Sequence, residues 1–171
     1  MSKRQLTHDA YWNHYIDLAP DDDVVRALEQ QGSEFAALLS GISEERSNYR
    51  YAPDKWSIRE LAVHVADTER IFGYRSLSIA RGDTRSLLGF DEKLFATNAD
   101  ADARPFRDIV EEFAAVRRAT VAMFRGFSDA AWERVGTANG SRINVASLAH
   151  VTLGHARHHA NVLRERYVSG G

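Results

Sequence analysis

The sequence contains no cysteine and only three prolines in its 171 residues. Without cysteine the chain forms no disulfide, and it has no thiolate to act as a nucleophile or to bind a metal. Any metal site must therefore be built from imidazole and carboxylate groups. The lack of cysteine also agrees with a reducing compartment, so we expect a cytoplasmic protein.

Long apolar runs and a strong net charge are absent as well. The longest apolar runs fall far short of the roughly 20 residues that a membrane-spanning helix needs. The basic start of the chain, MSKRQLTHDAYWNHY, has no apolar segment after it, which predicts that it is not a signal peptide. The formal net charge is -2, and so small a charge attracts neither nucleic acid nor an anionic membrane. We expect a protein that binds neither of them.

Helical periodicity is the main feature that the sequence does have. Apolar residues recur at spacings of three and four along the chain, which is typical of amphipathic helices. Ser57 followed by Glu60 predicts a capping box at the start of one of these helices. The pattern predicts four long helices, over residues 22–40, 57–82, 105–127 and 144–167.

The segments between these helices carry weaker signals. Short helical pieces are predicted at 8–16, 91–97 and 129–133, and TANGSRI predicts a turn, which a small hairpin would contain. The expected architecture is all-α, a four-helix bundle in a single domain over residues 1–171. We expect the loops at 83–104 and 128–143 to shape any pocket of that bundle.

The stretch LGHARHHANVL, which ends at Leu163, holds three of the seven histidines of the chain. On a helical wheel, His155 and His159 fall on the apolar flank of the fourth helix. Their spacing of four residues places two imidazoles about 6 Å apart at Cβ, which suits a shared metal ion. His158 and His150 fall on the opposite side, and we interpret both as solvated surface residues.

His64 is the candidate for a third ligand, because it lies at the border of the apolar stripe of the second helix. Three imidazoles from two helices leave coordination positions open, as catalytic sites do and closed structural sites do not. The alternative for His64 is a core histidine with a local hydrogen bond. His8 and His14, in an aromatic N-terminal segment, are interpreted as packing or dimer-contact residues.

Two stretches of the chain resemble the DinB-like superfamily, also called the DinB/YfiT-like metalloenzymes. They are KWSIRELAVHVADTERIFGYRSLSIARGD and VASLAHVTLGHARHHANVLRERY, supported by GFDE at Gly89–Glu92 and by Trp132. The resemblance covers roughly residues 50–167. It implies an up-down-down-up bundle with a long crossover, often a homodimer, that holds a divalent metal, zinc or nickel, on three histidines. Matched position by position, those histidines are His64, His155 and His159.

The pattern HARHH differs from the zincin motif H-E-x-x-H, which carries a general-base glutamate directly after its first histidine. Ala156 occupies that position, so a base would come from elsewhere. Asp67 and Glu60 project near His64 on the second helix, where either would serve as a base or as a hydrogen-bond partner of a ligand. The alternative for both carboxylates is a solvated helix face, with Glu60 engaged in the capping box.

The sequence leaves three classes of function open. The first is a metal-dependent enzyme acting on a small molecule, either a hydrolase that uses a water activated by the cation or a transferase of an exogenous thiol. The second is a non-catalytic metal-binding or stress-related bundle. The third is a structural metal that joins the second and fourth helices. Arg75 and Tyr74 are candidates to line an entrance for an anionic substrate, although no motif singles them out.

Overall fold

The computed structural model describes residues 4–168. The SGG tail predicted after the last helix, residues 169–171, and the first three residues of the N-terminal segment lie outside the described residues. Four long helices dominate the structure: α1 (Val24–Ser40), α2 (Ile58–Ala80), α3 (Phe106–Arg125) and α4 (Val145–Val162). None of the described helices combines the length and the apolar character that crossing a bilayer requires.

The bounds of these helices confirm the predicted ones to within about two residues, except at the end of α4. There a π-helical segment, Leu163–Val168, continues the helix. Side-chain caps begin three of the helices: Asp23 caps α1, Ser57 and Glu60 form the predicted capping box of α2, and Asn144 caps α4. Each cap satisfies a backbone N–H that the first helical turn leaves without an intrahelical partner.

The short helices predicted at 8–16, 91–97 and 129–133 and the turn in TANGSRI are confirmed, whereas the 3₁₀ helices at 46–48 and 101–103 were not predicted. A two-stranded antiparallel hairpin, β1 (Val135–Ala138) and β2 (Ser141–Asn144), turns at Asn139 and Gly140. Both turn residues have positive φ, as a two-residue hairpin turn of this kind requires. The short α-helices are Asn13–Ile16, Glu92–Thr97 and Asp129–Glu133, and the 3₁₀ helices are Ala10–Trp12, Arg46–Asn48 and Ala101–Ala103.

The helix directions follow from which ends meet. Glu29, early in α1, pairs with Arg125 at the end of α3, so these helices are antiparallel. Arg59, early in α2, donates a hydrogen bond to the carbonyl of Arg104, just before α3, so α2 and α3 run parallel. Parallel neighbours need a long connection, and residues 81–105 provide it. With α4 antiparallel to α2, the up-down-down-up topology with a long crossover is confirmed.

The core consists of two apolar clusters with polar residues between them. One cluster contains Phe72 and Phe124, and the other contains Phe35 and Phe113. The long helices also bury polar residues, and one set of these takes a residue from each of the four helices. We call this set the polar layer, and its members are Gln31, Glu69, Arg117 and His155.

The prediction that His150 is a solvated surface residue is wrong. The side chain is only 6% exposed, its Nδ1 lies 2.9 Å from Ala146 O, and its Nε2 lies 3.2 Å from Asp21 O. The wheel assigns one buried face to the helix, whereas the N-terminal segment, α1 and α2 all pack against α4. His158 is half-buried, with its ring 5.1 Å from that of His14, so it is only partly a surface residue.

Candidate metal centre

The antiparallel packing of α2 on α4 brings together the three histidines that the sequence predicts. The Nε2 atoms of His64 and His155 lie 3.2 Å apart, and those of His155 and His159 also lie 3.2 Å apart. One nitrogen from each of the three rings lies within 4.8 Å of the other two. His155 is 3% exposed and His64 is 4% exposed. The histidine cluster, as we call His64, His155 and His159, is therefore at the edge of the core.

Hydrogen bonding alone does not account for this arrangement. An imidazole nitrogen carries either one proton or one lone pair, yet Nε2 of His155 faces two other ring nitrogens. In addition, Nδ1 of His159 is buried without a hydrogen-bond partner in the described part of the chain. Two nitrogens at 2.0–2.1 Å from a tetrahedral ion would be about 3.3 Å apart, close to the 3.2 Å of the His64–His155 and His155–His159 pairs. The donor set therefore fits one divalent cation.

Burial keeps the three rings in the neutral form that binds metals. It lowers the pKa of His64 to about 4, with a smaller effect from the charge of His158. Burial, followed by the neighbouring imidazoles, also holds the pKa values of His155 and His159 well below the ordinary 6.5. At neutral pH each ring therefore has a free lone pair, which a metal ligand needs.

Aromatic side chains pack around the histidine cluster. The ring of Trp56 lies 4.5 Å from that of His64, and the rings of Tyr15 and Phe72 lie 5.2 Å and 5.6 Å from that of His155. Sequence reasoning did not assign Trp56 or Phe72 to the site. The available signal was spacing, since Phe72 lies eight residues after His64 on α2 and Trp56 lies eight residues before it, directly ahead of the cap residue Ser57.

A cavity of about 440 Å³ opens beside His155. Its walls come from the N-terminal segment, α2, the crossover and the hairpin turn. The predicted loops therefore contribute to the pocket, but the N-terminal segment, which sequence reasoning did not assign to it, contributes as well. Besides His155, the lining residues are Tyr11, Trp12, Tyr15, Thr68, Phe72, Arg75, Phe90, Asp91, Glu92, Lys93 and Asn139.

A glycine allows the N-terminal segment to lie directly on α4. A Cβ atom added at Gly154 would lie 1.8 Å from the carbonyl oxygen of Tyr15, far inside van der Waals contact. Because the clash would involve backbone, no rotamer change relieves it. Gly154 thus permits the close approach that places Tyr15 against His155.

Among the described residues, neither predicted carboxylate forms a hydrogen bond or an ion pair with the histidine cluster. Asp67 forms an ion pair with Arg70 at 3.1 Å, and burial raises the pKa of its carboxyl group. A role for Asp67 as a base or as a hydrogen-bond partner of a ligand stays a prediction. Glu60 completes the capping box of α2 and pairs with Arg50, so the alternative interpretation of Glu60 as a capping residue is confirmed. Thr68 is nearer, with Oγ1 at 3.5 Å from Nδ1 of His64.

Two comparisons with known proteins, one of structure and one of sequence, agree with the fold described above and with the family that the sequence resembles. The structure is similar to that of YfiT from Bacillus subtilis, with a TM-score of 0.74 over 84% of this chain and 85% of that one, at 16% identity. YfiT is described as a probable metal-dependent hydrolase with an unusual four-helix bundle topology. No curated protein matches the sequence significantly. The family model of the DinB superfamily matches residues 27–163, and the chain therefore belongs to the DinB superfamily.

Proposed function

We propose that the chain is a metal-dependent enzyme that binds one divalent cation through His64, His155 and His159 and hydrolyses a small molecule. The observation that carries the proposal is the convergence of three imidazole nitrogens within 4.8 Å, two from buried histidines and one from the partly buried His159, next to a cavity. The description of YfiT as a probable metal-dependent hydrolase supports the reaction class. Zinc or nickel as the metal, a homodimer and a cytoplasmic location stay predictions.

Some residues of the chain would bind the metal, and others would form the cavity and the packing around it. A bound divalent cation supplies Lewis-acid chemistry. His155 lies both in the histidine cluster and in the wall of the cavity, so a molecule in the cavity would reach the cation from that side. The indole of Trp56 packs against the ring of His64, with the two ring centroids 4.5 Å apart. Access to the cation from the cavity favours an open catalytic site over a structural metal that only joins α2 and α4.

The alternatives predict different measurements. Metal content of protein purified without an affinity tag separates metal binding from its absence. We expect about one equivalent of transition metal in the wild type and below about a tenth of an equivalent in His64→Ala. His158→Ala is the matched control, since this histidine lies on the same helix outside the histidine cluster, and it should keep its metal. Full occupancy in His64→Ala, with normal helicity, would contradict the three-histidine site.

Activity of the metal-loaded protein then separates the reaction classes. Turnover of activated esters that is lost in His64→Ala supports the hydrolase. Turnover only after addition of a low-molecular-weight thiol would instead support the transferase. No turnover with either substrate class, together with one tightly held metal, would favour the non-catalytic bundle.

A further inference from the structure

Arg75 is a buried arginine that has no acidic partner among the described residues. Its side chain is 3% exposed, and Nη2 donates one hydrogen bond, of 2.8 Å, to the carbonyl of Leu88. Its Nε is buried with no hydrogen-bond partner, and no acidic side chain within residues 4–168 forms an ion pair with it. The two other arginines buried in this part of the chain, Arg59 and Arg117, are each paired with a glutamate.

An unpaired buried guanidinium is costly, because the charge loses its hydration and gains no compensating charge. Burial accordingly lowers the pKa of Arg75 from its ordinary 12.5. Packing does not require an arginine at this position, since an uncharged side chain of similar length would fill the space without that cost. An unpaired cation of this kind is what a site for an anionic ligand presents before the ligand binds.

A second residue that lines the same cavity also carries an unsatisfied donor. The indole Nε1 of Trp12 is buried without a hydrogen-bond partner among residues 4–168, and Trp12 is 2% exposed. Trp12 and Arg75 both line the cavity beside His155. Both groups donate hydrogen bonds only, so a ligand that satisfies them must bring acceptor oxygens.

The cavity connects this donor pair to the histidine cluster. The ring of Phe72 lies 5.6 Å from the ring of His155 and 5.9 Å from Cζ of Arg75. The imidazole and the guanidinium are therefore separated by no more than these two distances placed end to end, and an aromatic surface lies between them. The acidic residues of the lining, Asp91 and Glu92, are both exposed, and Asp91 already accepts two backbone hydrogen bonds as a helix cap.

We propose that Arg75 and Trp12 bind an oxyanion, a carboxylate or a phosphate, carried by an apolar small molecule whose other end reaches the histidine cluster. The identification of that molecule as the substrate rests on the proposed function, but the anion site itself does not. The forked guanidinium would hold two oxygens at once, and Phe72 and Phe90 would pack against the apolar body.

Binding of small probes to the metal-free protein tests the site by calorimetry. Benzoate and phenyl phosphate carry the two oxyanions on an aromatic body, and benzamide is the uncharged counterpart. We expect at least one anion to bind about tenfold or more tightly than benzamide, and Arg75→Gln to remove that advantage. Arg81→Gln is the matched control, because this arginine is exposed just beyond the end of α2. Anion affinity that is equal in the wild type and Arg75→Gln would overturn the proposal.

Measurements of thermal stability test whether Arg75 has only a structural role. Removing an unpaired buried charge should leave the melting temperature of Arg75→Met unchanged or higher. A clear fall in melting temperature in both Arg75→Met and Arg75→Gln would make Arg75 a structural residue and overturn the proposal. His64→Ala should bind the anion as the wild type does. Anion binding that depends on Arg75 in a protein that never holds metal would support this site while the proposed function fails.

Discussion

At the scale of single residues, the most constrained position near the site is Gly154. Its neighbour His155 lies in both the histidine cluster and the cavity wall, and the carbonyl of Tyr15 occupies the space that a Cβ would need. A methyl group at this position would displace the N-terminal segment, which carries the aromatic residues Trp12 and Tyr15 of the cavity.

We therefore predict that Gly154→Ala destabilises the protein by about 1–3 kcal/mol, the usual cost of overpacking, although alanine is the better helix former. Urea unfolding measures the change. Gly126→Ala is the matched control: its backbone lies in the helical region, and its added Cβ would be no closer than 3.5 Å to any atom. That variant should be neutral or slightly more stable. Equal stability of the two variants would mean that the segment moves aside at no cost.

Individual residues also differ in how well the sequence predicted their place in the structure. The i,i+4 spacing and the apolar flank of α4 predicted which two histidines of HARHH lie together, and His64 followed from the helix border. The exposure of His150 could not be predicted, because its burial depends on the N-terminal segment that crosses α4. Arg75 illustrates the same limit, since only the folded chain shows that it lacks a partner.

At the scale of secondary-structure elements, the polar layer divides the core between its two apolar clusters. Arg117 on α3 donates to Glu69 on α2 from Nε and Nη2, each at 2.8 Å, and to the carbonyl of Leu28 on α1. Three helices are thereby joined at one level of the bundle, next to His155. The periodicity of the sequence predicted each helix, but it could not predict which polar residues would meet, because that depends on the helix directions.

Removal of one member of this ion pair should destabilise the bundle strongly. We predict a loss of about 3–5 kcal/mol for Glu69→Ala, because Arg117 would be left buried without a counterion. The double variant Glu69→Leu, Arg117→Met should lose much less, since it buries no charge. Chemical denaturation of the two variants gives the comparison. Glu29→Ala serves as the control, because its ion pair with Arg125 is exposed and should contribute less than about 1 kcal/mol. A double variant as unstable as Glu69→Ala would contradict this explanation, because the loss would then come from the missing ion pair itself and not from an unpaired buried charge.

At the scale of the whole molecule, the directions of the four long helices determine which segments form the cavity beside His155. Because α2 and α3 run parallel, a crossover of residues 81–105 must return the chain along the bundle, and residues of this connection form one wall of the cavity. The resemblance to the DinB superfamily implied this topology, whereas composition and periodicity predicted only four helices. The N-terminal segment closes another wall, so the site is assembled from parts far apart in the sequence.

The same architecture predicts how metal binding should affect stability. The two apolar clusters consist of side chains that would not bind the cation, so the protein treated with a chelator should stay folded with its helicity unchanged. Binding to the native state alone should then raise stability by about 2.7 kcal/mol when free metal is 100 times its Kd. Circular dichroism melts at increasing zinc or nickel concentration measure the effect. His64→Ala should show no rise in melting temperature with metal concentration, whatever the cost of truncating a buried side chain, and His158→Ala should show the same rise as the wild type. A chelated wild type that loses its helices would instead assign the metal a structural role, because its binding energy would then be needed for folding.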